Sequence, residues 1–202
     1  PDPNSTDTHY SPNPQYTRGY TWLKNVNRGQ VAGESGLFRV DFAQNNFQKR
    51  EIDATGLHLK YHSLNDWKPD SVDIVTGYPP RRKENAGIPG LDYMFIHRSG
   101  ENLDTLFAGI LEPYRNESYI LKAESLSAAV KVGREAPDDR VKVVKVLLKN
   151  GRTDYILWAT NNLVTYAVSD GQVNFDFRGF VGVYSVNATN GIVYTYIHDG
   201  TC

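Results

Sequence analysis

Several residues have types and spacings that could do chemistry. Two histidines stand four apart, His58 and His62 in "LHLKYHS", and an apolar run ends on Glu112-Pro113-Tyr114-Arg115. A cationic triplet, Arg81-Arg82-Lys83, follows Tyr78-Pro79-Pro80. On a helix the histidine pair would have the spacing to chelate one metal. The alternation of Leu57, Leu59 and Tyr61 demands a strand instead, and the imidazoles then lie about 13 Å apart at about 3.3 Å per residue. One ion cannot bridge that distance, so no metal site is assigned; the plain reading is a polar strand face shared with Lys60. Arg81, Arg82 and Lys83 suit carboxylate or sulfate groups, which match the guanidinium fork. Their plain reading is a solvated loop. Tyr114 and Arg115 have the chemistry to meet a sugar chain or a neighbouring domain, whereas plainly read they staple a strand end together with Glu112.

The elements that must position these groups are strands. Helical periodicity is nearly absent, and alternating β-branched or aromatic runs recur throughout. They predict strands near 18–26, 36–43, 56–64, 71–78, 91–98, 103–112, 118–126, 140–149, 152–160, 163–168, 173–178, 180–187 and 191–198. Asn150-Gly151, Asp170-Gly171 and Asn190-Gly191 each sit between two such runs, the strongest short-range hairpin signal. The one candidate helical turn is 123–130. Many short strands with such turns argue for an all-β, mainly antiparallel, multi-stranded β-sandwich.

Within it, 103–111 is apolar on both alternations and reads as a central strand buried on both faces, with 91–98 as its hairpin partner. Pro113 would end that strand and Glu112 would mark its emergence into solvent. Residues 1–15 read as a linker or disordered tail, 16–202 as the sandwich domain, and 77–90 as a long exposed loop, the kind of segment that carries function on a rigid scaffold. Tyr184, Tyr194 and Tyr196 share one parity of the last hairpin, which predicts cross-strand packing or else a sugar-stacking platform. Trp67 reads as exposed, Trp22 and Trp158 as core.

Composition bounds the function. The 202 residues are 40% hydrophobic and 22% charged, with a formal net charge of −1. No global field recruits nucleic acid or an acidic membrane, and no apolar run is long enough to span a bilayer. Cys202 is the sole cysteine, which excludes an intrachain disulfide, a cysteine zinc site and a redox pair. There is no phosphate-binding glycine loop, serine elbow or cysteine nucleophile with its histidine, and no cofactor is expected. Asn4, Asn116 and Asn187 begin formal glycosylation triplets, which matter only in a eukaryotic secretory host. The chain opens on "PDPNSTDTHYSPNPQY" and ends "YTYIHDGTC" straight out of a strand, which reads as a piece of a longer protein.

The run "LDYMFIHRSGENLDTLFAGILEPYR" (91–115) resembles the C-terminal β-domain of the heparinase II/III-like polysaccharide lyases. The matching positions are Leu91, Asp92, Tyr93, Thr105, Phe107, Ile110, Leu111, Glu112, Pro113 and Tyr114, and "YTWLKNVNRGQ" (20–30) is similar less specifically. The resemblance implies a parent enzyme that cleaves uronate-containing acidic polysaccharide by β-elimination, with a base, an anion-stabilising group and an acid. It implies an N-terminal helical toroid as partner and a periplasmic or secreted location. No catalytic position of the family maps onto this chain, so catalytic residues are unassigned. Tyr78, Arg81, Arg82, Lys83, Tyr114 and Arg115 are the expected substrate contacts. A stand-alone carbohydrate-binding or adhesion module, or a structural interaction domain, is the alternative.

Overall fold

The computed structural model describes residues 24–30, 36–44, 54–78, 91–134 and 140–201. Fourteen strands and no helix occur among them: β1 (Lys24–Gln30), β2 (Arg39–Ala43), β3 (Leu57–Ser63), β4 (Ser71–Tyr78), β5 (Leu91–His97), β6 (Gly109–Arg115), β7 (Ile120–Leu126), β8 (Ala128–Val132), β9 (Val141–Leu148), β10 (Thr153–Ala159), β11 (Thr165–Ser169), β12 (Asn174–Phe177), β13 (Val181–Val186) and β14 (Ile192–His198). Every ladder is antiparallel. Four sheets result, with orders β1-β4-β5, β2-β3-β6, β14-β13-β10-β9-β7 and β12-β11-β8.

The Gly-containing turns work as expected. β9–β10, β11–β12 and β13–β14 are the hairpins that Asn150-Gly151, Asp170-Gly171 and Asn190-Gly191 close. Gly151 and Gly171 take φ of 82° and 85°, a region open to glycine at no steric cost. In the third turn Asn190 itself takes the positive φ, and the Asn187 side chain accepts the amides of Thr189 and Gly191.

The five-stranded sheet is the centre, because half of it is covered on both faces. One face carries Val143, Tyr155 and Leu157, which pack with Tyr166, Val168 and Phe177 of the β12-β11-β8 sheet. The opposite face carries Val144, Val146 and Leu148, which pack with Leu64, Ala108 and Ile110 beside β3 and β6. Strict alternation along β9 supplies both cores. A clamp reinforces the second layer: buried Lys142 reaches Asp66 Oδ2 and Ser125 Oγ, both at 2.7 Å.

Several expectations are corrected. The stretch 103–112 is not a central strand. Its ladder begins only at Gly109, β6 pairs with β3 alone among the described residues, and Leu103, Phe107 and Leu111 are 43%, 53% and 64% exposed. Residues 105–108 instead cross between sheets, where Leu106 O accepts Trp67 Nε1 and Asn65 Oδ1 accepts the Ala108 amide. Nor is 91–98 its hairpin partner, because β5 pairs with β4. Pro113 does not end the strand but lies opposite Leu59 within it, which an edge strand tolerates. The expected helical turn at 123–130 is the end of β7 and the start of β8. Trp158 is 38% exposed rather than core, and Trp67 is half-buried rather than exposed. Trp22 and the tail over 1–15 lie outside the described residues.

The register also separates the last tyrosines. Tyr184 stands opposite Thr195, whereas Tyr194 and Tyr196 stand opposite Ser185 and Val183. Shared numerical parity therefore puts Tyr184 on one face, against Phe175 and Tyr155, and the other two on the opposite face. Gly182 lies beside Phe177, where an added Cβ would come within 2.7 Å of the ring. Gly182→Ala should cost about 1–3 kcal/mol through overpacking, read as a lower denaturation midpoint at unchanged slope.

Candidate functional site

β2, β3 and β6 present one continuous polar face. Registers place Asp41, Lys60 and Glu112 in one row across the sheet, with Ala43, His58 and Tyr114 on one side of it and Arg39, His62 and Ile110 on the other. Ile110 packs in the second core, so this face is covered at one end and open at the other.

The covered end holds Glu112, 5% exposed, and His62, 2% exposed. His62 Nε2 lies 2.8 Å from Glu112 Oε2, and because a carboxylate only accepts, that nitrogen carries the proton. Glu112 Oε1 accepts the Tyr119 and Ile120 amides at 2.6 and 2.8 Å, and Ser118 Oγ lies within 2.9 Å of both carboxylate oxygens. Burial pushes this carboxyl up, yet the Ile120 amide, His62, Ser118 and the Tyr119 amide outweigh it and hold Glu112 below its ordinary value. Glu112 therefore does not mark the chain's emergence into solvent. It ties β6 to the start of β7.

The open end holds a tetrad. The Tyr114 phenol donates to Asp41, His58 Nδ1 lies 3.1 Å from Asp41 Oδ1, and Lys60 Nζ lies 3.6 Å from Asp41 Oδ2. The His58 ring stacks on Tyr114 at 4.9 Å, and Lys60 Nζ sits 4.6 Å from the same ring centroid. The bond to Asp41, with lesser help from burial, pushes the Tyr114 phenol up to about 12. It is a fixed donor, not a base. Burial pushes Asp41 up, but the bonds from Tyr114 and His58 and the charge of Lys60 bring it below its ordinary value. Chemically the tetrad offers an ammonium and an imidazole on the central strand at the open end of the sheet face, a place where an anion can be met.

Of the expected contacts, Tyr114 joins this tetrad, but Arg115 does not. Strand alternation sends Arg115 to the other face, where it donates to Thr55 O at 2.8 Å. Gly77 and Tyr78 belong to the end of β4 rather than to the expected loop over 77–90, and Arg81, Arg82 and Lys83 lie outside the described residues with the rest of 79–90. His58 and His62 do share a face, but His62 is buried rather than on a polar outer surface. Among the described residues no group of three metal-ligating side chains gathers. Asp41 gave no sequence signal, because its role depends on the β2–β3 register. No family model, curated protein or solved structure matches the chain.

Glu112→Ala should cost about 3–5 kcal/mol, because it leaves His62 and two amides buried without their acceptor. The sign with pH follows from the lowered folded value. Glu112 contributes its full stability above the ordinary glutamate value of 4.5 and loses it as pH falls through the lower folded value. Urea titrations should show Glu112→Gln closest to the native chain at acid pH, with the gap widening above that value.

Proposed function

We propose that this chain is the β-sandwich domain of a heparinase II/III-like polysaccharide lyase. The parent would cleave uronate-containing acidic polysaccharide by β-elimination in the periplasm or outside the cell. This domain would support a helical catalytic toroid and one wall of its cleft. One observation carries the reading: the polar residues of the 91–115 motif are occupied in holding strands together. Asp92 accepts Thr76 Oγ1 at 2.6 Å, Thr105 accepts Arg98 Nη1 at 2.9 Å, Glu112 anchors β7 and Tyr114 binds Asp41. Side chains so engaged suit a supporting domain better than a catalytic one. Lys60, His58 and Tyr114, with Tyr78, Arg81, Arg82 and Lys83, would meet the polymer's carboxylates or sulfates, and Arg115, on the other face, would not.

The chain alone should release no unsaturated uronate from heparan sulfate or alginate, since the positioned groups that supply rate are absent. Ultraviolet absorbance of the product checks this, and its appearance with purified chain would overturn the supporting role. In a longer chain that is active, replacing Arg81, Arg82 and Lys83 by Ala should raise KM and weaken its salt dependence, with the melting temperature unchanged.

A second reading, a stand-alone carbohydrate-binding module, is favoured by the exposed aromatics Trp158, Tyr194 and Tyr196 on one face of the five-stranded sheet. Retardation of the chain in polysaccharide gels, lost in Trp158→Ala, would favour it over the first.

A further inference from the structure

Among the described residues β14 is an edge strand. It pairs only with β13 among the described residues, and its sequence "IVYTYIH" carries no lysine, acid or proline. Ile192, Val193, Tyr194 and Tyr196 are 67%, 54%, 53% and 45% exposed. Its ladder with β13 is regular from Tyr194 to His198, so no bulge turns that stretch aside. A long apolar edge of this kind is a template for another strand, and folded proteins normally blunt it with charge, proline or a bulge. Among the described residues the stretch from Tyr194 to His198 carries none of these devices, and the one ladder irregularity lies before it, at Val193.

The same stretch is nearly symmetric about Thr195. Reading outward in both directions gives Tyr194 and Tyr196, then Val193 and Ile197. A two-fold axis perpendicular to the sheet joins two copies of a strand antiparallel and keeps each side chain on its own face. Centred on Thr195, it sets Tyr194 against the second copy's Tyr196 and Thr195 against Thr195, within the regular stretch that begins at Tyr194. Aromatic and β-branched cross-strand pairs of this kind stabilise a ladder. A centre displaced by one residue is poorer: on Tyr194 it opposes Val193 with Thr195 and Ile192 with Tyr196, and on Tyr196 it opposes Tyr194 with His198.

We infer that β14 is the contact of an isologous homodimer, in which two five-stranded sheets join edge to edge across Thr195 into one ten-stranded sheet. The occupant of the edge is a second copy of this chain, because only a strand with this symmetry pairs like with like in both halves of a two-fold contact. Both faces of the sheet gain from the pairing. On one, the two pairs of tyrosines become a continuous aromatic strip running out from Ile156 and Trp158. On the other, a groove of about 220 Å³ lined by Phe175, Phe177, Tyr184, Thr195 and Ile197 continues across the axis into its twin. The inference stands on the edge strand and is independent of the lyase reading.

Sedimentation equilibrium of the whole chain from micromolar to millimolar concentration should give a reversible monomer–dimer equilibrium. Y194K/Y196K sets like charges against each other across the axis and should weaken the dimer by about 100-fold or more. Y194K/Y196E sets each lysine against the second copy's glutamate in the Thr195-centred register only, and should restore most of the association. Both pairs of substitutions are at exposed positions, and far-UV spectra and melting curves confirm the fold. Independently, T195C in a Cys202→Ser background should cross-link on oxidation, because directly opposed antiparallel residues bring their Cα atoms about 4.5–5.5 Å apart, within disulfide reach. A wild-type chain monomeric throughout, a dimer indifferent to Y194K/Y196K, or no cross-link in T195C would each overturn the inference. Dimerisation lost equally in Y194K/Y196K and Y194K/Y196E would also do so, by excluding this register.

Discussion

A carboxylate removed from water must be given donors, and Glu112 obtains them from elements that would otherwise be separate. His62 comes from β3, Ser118 from the loop after β6, and the Tyr119 and Ile120 amides from the entry into β7. Those contacts attach the β2-β3-β6 sheet to the edge of the five-stranded sheet. Beside them Ile110, Ile120 and Leu148 meet in one apolar cluster, so the polar anchor and the hydrophobic layer fix the same juxtaposition. A buried charge carries a desolvation penalty wherever its partners fail to align. The rest of the polar face then inherits its position: with Glu112 held, the row Glu112, Lys60, Asp41 and the tetrad beyond it have their places set by register.

A second buried carboxylate does similar work at the other core. Asp170 accepts Tyr155 Oη and Lys145 Nζ, both at 2.6 Å, and the amides of Gln172 and Val173 in its own turn. Burial alone would push this carboxyl up; those donors hold it well below its usual range, and burial together with the bond to Asp170 pushes the Tyr155 phenol upward. The β11–β12 turn is thereby tied to the centre of β9 and β10. The β2-β3-β6 and β12-β11-β8 sheets are thus each fastened to the five-stranded sheet by apolar packing and by one internal acid. The β10-β13-β14 half of the second face has no such cover among the described residues, which is why Ile156 and Trp158 reach solvent.

This division bears on function. Groups with familiar catalytic chemistry, His62, Glu112, Tyr114, Tyr155 and Asp170, are bonded to one another or to backbone and are occupied in architecture. The exposed surfaces among the described residues are of another kind: a polar tetrad across the β2-β3-β6 sheet, an aromatic sheet face and an apolar edge strand.

Residue types and spacing by themselves determined the all-β class, the antiparallel hairpins at the three Gly-containing turns, and the impossibility of one ion bridging His58 and His62. These are local matters, decided by φ preferences and by the two-residue period of a strand. Which strand lies beside which was decided only by the tertiary structure. The apolar run 103–111 promised a central strand on hydropathy, but its residues divide between a crossing segment and an edge, because Trp67 and Asn65 capture its backbone groups from another part of the chain. Glu112 read as a solvent-facing terminus because its acceptor capacity is met by donors from 50 residues upstream and 6–8 residues downstream. Tyr184 parts from Tyr194 and Tyr196 through hairpin register, a pairing that numerical parity does not encode. Local pattern specifies which face of a strand is apolar; what covers that face depends on contacts between distant segments, and those are settled only when the layers close.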